Sequence, residues 1–384
     1  MKKLTKEDGS VSLFVVILTA LLVTVIVVGF TQNMLRDQRQ ASDSDLSQSA
    51  RDSALAGVED AKRALLVYRK VCLKDKDSTD CQQAKSILAS NNCTMVRDII
   101  TLTPSSSQNE TMVQQNTNVD LNQAYTCAKI TMNTDDYKAE LSPGRTKSIP
   151  LQGESKFNKV VLEWFARRDM PDSNATRYDL PTSIALGEKF SPVEAYPAGR
   201  PSVMRTSIIQ LPNGSFNLSD LDNPSPTSGE RSLFLIPASA MSVTSTNTLD
   251  FGSIKKREAV NNQPVSIKCS ENFAASYSCR AELKLLKEVN VGEIGYFSIL
   301  PFYNKSSIRV SIYQDNDLVK LYGVQPLVDS TGRANDIFRR VEARIELGDI
   351  NFPRPAATVD TDGSICKDFS VTDDPKDYST SCEP

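Results

Sequence analysis

The longest apolar run of the chain lies at its start. From Ser10 to Leu35 no side chain is charged, and Leu13 to Phe30 (LFVVILTALLVTVIVVGF) is relieved only by Thr19, Thr24 and Gly29. About 20 apolar residues span a bilayer core as a helix, so the pattern predicts one transmembrane helix. No later stretch is charge-free and apolar at that length. Ahead of it lies a short polar head, Met1 to Gly9, with Lys2, Lys3 and Lys6. A secretory signal peptide also has a basic start, but its apolar core is usually shorter and a small-x-small cleavage signal follows it. Here Phe30-Thr31-Gln32-Asn33 follows instead.

Beyond the apolar run the period changes. From Thr31 to about Leu73 there is no proline and one glycine, Gly57. Small or apolar residues recur at Leu46, Ala50, Ala54, Val58, Ala61, Leu65 and Tyr68, spacings of three and four that make one helical stripe. Charged residues from Arg36 to Arg63 occupy the other faces, with Glu59 and Arg63 placed as an i,i+4 pair. The pattern predicts helix from Leu13 to about Leu73, roughly 90 Å long. A membrane-proximal coiled coil is the rival for the stripe. Its Ala-rich composition suits close packing on a sheet, or on copies of itself, better than a zipper.

The remaining part, about 310 residues, reads mostly as strands. Val160–Phe165, Ser207–Leu211, Ser232–Ile236, Val265–Cys269, Ala281–Leu285, Tyr296–Leu300, Ile308–Tyr313 and Val341–Leu347 are short apolar or alternating runs. Alternation of period two marks antiparallel strands with one wet face. Thr101 to Asn118, rich in Ser, Thr, Asn and Gln, reads as a surface loop. The fold class predicted is α+β. A single N-terminal transmembrane helix continues into a long amphipathic stem helix, packed on a mainly antiparallel, β-rich extracellular domain. The expected segments are 1–9 (leader), 10–33 (transmembrane), 34–73 (stem), 74–150 (disulfide-tied and loop-rich), 151–350 (β-rich) and 351–384 (acidic, disulfide-tied tail).

Cysteine usage points to export. Eight cysteines fall in local groups. Cys269 and Cys279 flank a short polar loop, and Cys366 and Cys382 tie the tail. Cys72, Cys81, Cys93 and Cys127 supply two further bridges whose connectivity spacing does not decide. The chain has no histidine and no Cys-x-x-Cys, which leaves a zinc site without ligand spacing. The missing histidine also removes Ser/His/Asp and Cys/His catalysis, and no phosphate-binding Gly-rich loop is present. No enzyme activity and no cofactor are expected. A net charge of −3 without a basic stripe offers no specific nucleic-acid site. Asp360, Asp362 and Asp368 are loosely similar to a calcium loop but lack its glycine and its terminal Glu. A solvated acidic tail is the alternative.

A basic leader ending in Gly9, an apolar helix starting at once after it and a half-exposed helical stem resemble a type IV prepilin. Within that superfamily Gly9–Leu65, including the Ala/Glu-bearing stretch Ser49–Ala61, resembles the N-terminal region of PilX-type minor pilins. Asp329–Ala334 followed by Arg339–Ile345 is similar, more weakly, to the glycine turn and final strand that close such domains. The resemblance implies cleavage between Gly9 and Ser10 by a prepilin peptidase, leaving Ser10 as a methylated N-terminus. It also implies partners: other pilin subunits through the N-terminal helix, the membrane and the assembly machinery. One departure matters. Most pilins carry Glu five residues into the mature chain, where this sequence has Phe14. That absence argues for a rare subunit, as at a tip, and against the bulk repeating one. The expected function is a minor pilin-like component that primes or decorates a fibre. The alternatives are a secretion-type pseudopilin and a stand-alone anchored surface adhesin or receptor. The expected location is the cytoplasmic membrane with the C-terminal part outside.

Overall fold

The computed structural model describes residues 8–104, 110–113, 122–172, 180–181, 195–210, 228–239, 248–251, 265–271, 273 and 276–346. One long N-terminal helix and a β-rich, mixed-sheet remainder make the chain α+β. Helix α1 runs Asp8–Lys74, 67 residues, or roughly 100 Å at 1.5 Å per residue. No proline interrupts it, because the first in the chain is Pro104. Two short helices follow, α2 (Thr79–Ser90) and α3 (Met95–Thr101). The Ser78 side chain caps α2 by accepting from the Cys81 amide, and Asn91 ends it in the left-handed region at φ 52°.

The strands, in chain order, are β1 (Thr111–Met112), β2 (Gln123–Thr134), β3 (Tyr137–Leu141), β4 (Lys147–Leu151) and β5 (Phe157–Ala166). Then come β6 (Val203–Gln210), β7 (Gly229–Ala238), β8 (Thr248–Asp250), β9 (Val265–Lys268) and β10 (Tyr277–Val289). The last are β11 (Gly295–Phe302), β12 (Ser306–Gln314), β13 (Asp317–Val319), β14 (Leu321–Ala334) and β15 (Ile337–Arg344). The short apolar or alternating runs coincide with β5, β6, β7, β9, β10, β11, β12 and β15, with ends shifted by a few residues. Residues 74–150, read as loop-rich, carry α2, α3 and three substantial strands. Within 101–118, read as a loop, the two residues of β1 pair with β2.

The chain divides into two compact units. The first joins Met1–Thr131 to Leu327–Ile345. In it the C-terminal half of α1 lies on a four-stranded sheet of order β1-β2-β14-β15. The expected stripe is the covered face of α1, which packs on β15 and also on α2 and α3: Ala50, Ala54, Val58, Ala61 and Leu65 are buried and Leu46 and Tyr68 half-buried, joined by the buried Ser53, Gly57 and Ala64. The salt links on the wet face differ from the expected Glu59–Arg63 pair. Glu59 bonds Lys62 and Asp60 bonds Arg63, both at i,i+3. Cys72–Cys81 fastens the end of α1 to the start of α2, and Cys93–Cys127 fastens the α2–α3 connection to β2.

The second unit, Met132–Pro326 with Glu346–Pro384, contains two sheets. One has the order β13-β12-β5-β10-β8, with β3 also on β12. The other has the order β4-β11-β6-β7-β9. Their pairings are antiparallel except β8 on β10 and β9 on β7, which are parallel. The sheets share one apolar core, with Leu162, Trp164, Leu283 and Val310 from the first and Ile149, Ile208, Leu235 and Ile299 from the second. Trp164 is fully buried, and its indole N–H donates to the Ser202 carbonyl at 3.0 Å. The expected Cys269–Cys279 bridge joins the end of β9 to the start of β10, tying one sheet to the other.

Candidate functional site: the apolar helix and its seat

Among the described residues the first half of α1 has no tertiary partner. Every residue from Leu13 to Asp45 is exposed. Its most apolar window has a mean hydropathy of 3.1 and none of it is buried. A core helix of a soluble protein has the same composition but is covered; this one is bare on all sides. Phe14 is 75% exposed and Phe30 is 73% exposed. The polar atoms within the run are consumed locally. The hydroxyls of Thr19, Thr24 and Thr31 donate to the carbonyls of Val15, Ala20 and Val27, at 2.9, 2.7 and 2.8 Å. In hydrocarbon an unsatisfied hydroxyl is costly, and back-bonding to i−4 satisfies it without a neighbour. The helix is therefore long enough and apolar enough to cross a membrane, with its polar groups closed.

Gly9 and Ser10 lie inside α1, at its second and third positions. The extended backbone implied for a peptidase at that bond requires the first turn to unwind, and terminal turns fray most readily. Phe14 lies one turn further along.

The seat of the helix is closer than side chains normally permit. Gly332 lies in β14 opposite Arg339. A Cβ built on it would be 2.2 Å from the Ala50 carbonyl oxygen and 2.2 Å from the Ala54 nitrogen. From the helix side, a Cβ on Gly57 would be 2.3 Å from Ser330 Oγ and 3.1 Å from Tyr125 Cγ. At Gly332 strand and helix backbones thus meet directly, while Gly57 makes room for the side chains of Ser330 and Tyr125. This corrects the expected glycine turn at Asp329–Ala334. That segment is strand, and the reversal is the two-residue turn Asn335–Asp336, with Asn335 at φ 48°. A repeated helical stripe marked the buried face of α1, but a lone Gly in an alternating run gave no sign that a helix crosses it.

Polar contacts fix the register of helix on sheet. The Tyr125 hydroxyl donates to Asp60 Oδ2 at 3.0 Å, and Arg339 Nε donates to Ser47 Oγ at 2.8 Å. Burial foremost, with Asp60 nearby, pushes the Tyr125 phenol up to about 12.

Of the expected site residues, Cys72, Cys81, Cys93, Cys127, Cys269 and Cys279 are brought together as three disulfides. Disulfides persist in oxidising compartments, which agrees with an extracytoplasmic place for both units. Cys366, Cys382 and the acidic trio Asp360, Asp362 and Asp368 lie outside the described residues. Among the described residues no group of three or more His, Cys, Asp or Glu side chains is placed to hold a metal ion. Compared with known protein families, curated proteins and solved structures, the chain matches none of them.

Proposed function

We propose that this chain is a minor pilin-like structural component of a type IV pilus, anchored by α1 and presenting its β-rich part outside the cell. The observation that carries the reading is the single helix α1. Its first half is bare and apolar, with internally satisfied threonines. Its second half is seated on a disulfide-fastened sheet. An apolar helix of that length needs either lipid or other apolar helices around it. A fibre subunit uses both in turn, first in the membrane and then in the fibre core. Gly9 followed by Ser10 at the start of the helix supports processing by a prepilin peptidase.

Phe14 sets the rank of the subunit. A carboxylate at that position would contact a neighbour's terminal amine at every step of a repeating fibre. Phe14 supplies only apolar packing, about 1.5–3 kcal/mol when fully buried. A subunit used once or a few times tolerates that. Phe14 equally suits the second reading, a surface adhesin or receptor that stays anchored and never assembles.

Mass spectrometry of the protein purified from a cell with a prepilin peptidase separates the two. A mature chain beginning at Ser10, and retention of the leader in Gly9→Val, are expected. An intact Met1 in such a cell would sink the pilin reading and leave the anchored one.

A further inference from the structure

We infer that α1 carries a built-in break at Ser42–Asp45, so that the apolar helix and the stem are two helices in exchange between a continuous and a bent arrangement. The stretch 36–45 (RDQRQASDSD) has neither an apolar surround nor a sheet beneath it. All of its residues are exposed. Among the described residues none of its side chains finds a hydrogen-bond or ion-pair partner, although Arg39 and Asp43 stand at i,i+4. It spans about 15 Å between the apolar run and the first contacts of the stem. A helix polar on every face draws stability only from propensity and side-chain pairs, and here the pairs are unmade. Ser42, Asp43, Ser44 and Asp45 are weak helix formers whose side chains favour caps and turns.

The sequence also supplies the ends that a break would need. Asp45-Leu46-Ser47-Gln48 has a capping residue followed three places later by Gln, immediately before the buried stripe that starts at Ala50. That is the pattern of a helix start. Asp43 and Asp45 would sit at the positive end of the restarted stem. Arg36 and Arg39 would sit at the negative end of the apolar helix. In the continuous helix these four charges have no terminus to complement. Stem packing begins at Leu46 and Ser47, which are half-buried. A break at 42–45 therefore disturbs no tertiary contact. It lets the disulfide-fastened part reorient while the apolar helix stays in place, whether lipid or other helices surround that helix.

Hydrogen exchange of the full-length protein in detergent tests this. Amides of 40–46 should be protected within about tenfold of an unstructured chain, as for an isolated short helix, while those of 50–65 and 18–30 stay strongly protected. Replacing Ser42, Asp43, Ser44 and Asp45 together by Ala should raise protection there by about 10–30-fold and leave 50–65 unchanged. As a second readout, brief trypsin treatment should cut after Arg36 or Arg39 before Arg51 or Arg63, and the four-Ala variant should resist. Protection of 40–46 equal to that of 50–65, or no response to the four-Ala change in either readout, overturns the break.

Discussion

Replacing Gly332 by Ala tests whether the glycine seam holds the stem on its sheet. The new Cβ would meet three backbone atoms, the Ala50 oxygen and Ala54 nitrogen at 2.2 Å and the Ser53 carbonyl carbon at 2.8 Å. None can rotate away, so helix and strand must part by about 1 Å, in an interior that is close-packed. Overpacking usually costs about 1–3 kcal/mol, and an all-backbone clash belongs at the top of that span. Thermal unfolding of the full chain in detergent, followed by circular dichroism, should drop by about 6–12 °C, at about 2–4 °C per kcal/mol. Two companion changes make the sign informative. Gly57→Ala meets mainly Ser330 Oγ, a rotatable hydroxyl without a hydrogen-bond partner. The helix propensity of Ala, about 1 kcal/mol better than Gly, offsets that contact, so a change near zero is expected. Gly29→Ala meets nothing within 4 Å and should be neutral or stabilising. Without a clash, Ala in a strand interior gains about 0.5–1 kcal/mol over Gly. A Gly332→Ala protein that melts at or above the parent would therefore refute the close approach of backbones.

Five further outcomes are expected. In alkaline titration the Tyr125 phenol, raised to about 12, ionises later than an exposed tyrosine. Its contribution to stability is complete below the unfolded value of about 10 and is lost as pH rises from there toward 12; early tyrosinate absorbance in the folded protein for every tyrosine would contradict this. Non-reducing peptide mapping should recover Cys72–Cys81, Cys93–Cys127 and Cys269–Cys279, and eight alkylatable thiols without reductant would contradict an oxidising location. Among these, loss of Cys93–Cys127, with a separation of 34, should cost more than loss of Cys72–Cys81, with a separation of 9. The chain-entropy figures are about 4 against about 3 kcal/mol, and equal midpoints in denaturant would contradict that order. Trp164→Ala should lower the denaturant midpoint of the second unit by about 3–5 kcal/mol in stability terms. On the proposed rank, deleting the protein lowers pilus number or adhesion while the remaining fibres consist of another subunit. Finding this chain as the dominant band of sheared pili would show the ranking to be wrong.

The elements legible in the sequence were those whose signal is local. The charge-free run Ser10–Leu35 identifies an apolar helix by length and composition alone. The stripe from Leu46 to Tyr68 marks its buried face through 3.6-residue periodicity. Short apolar or alternating runs located eight of the described strands, and the short separation of Cys269 and Cys279 suggested their bridge. What only the tertiary structure decided is non-local. Strand order and sheet membership depend on partners far apart in the chain, as where β14 and β15 return to the sheet beneath α1. The pairing of Cys93 with Cys127 over Cys72 or Cys81 depends on α3 lying beside β2. The function of Gly332 is set by two backbones about 280 residues apart in sequence meeting at one point. A single residue carries no record of such a crossing, because what Gly contributes there is the atom it lacks.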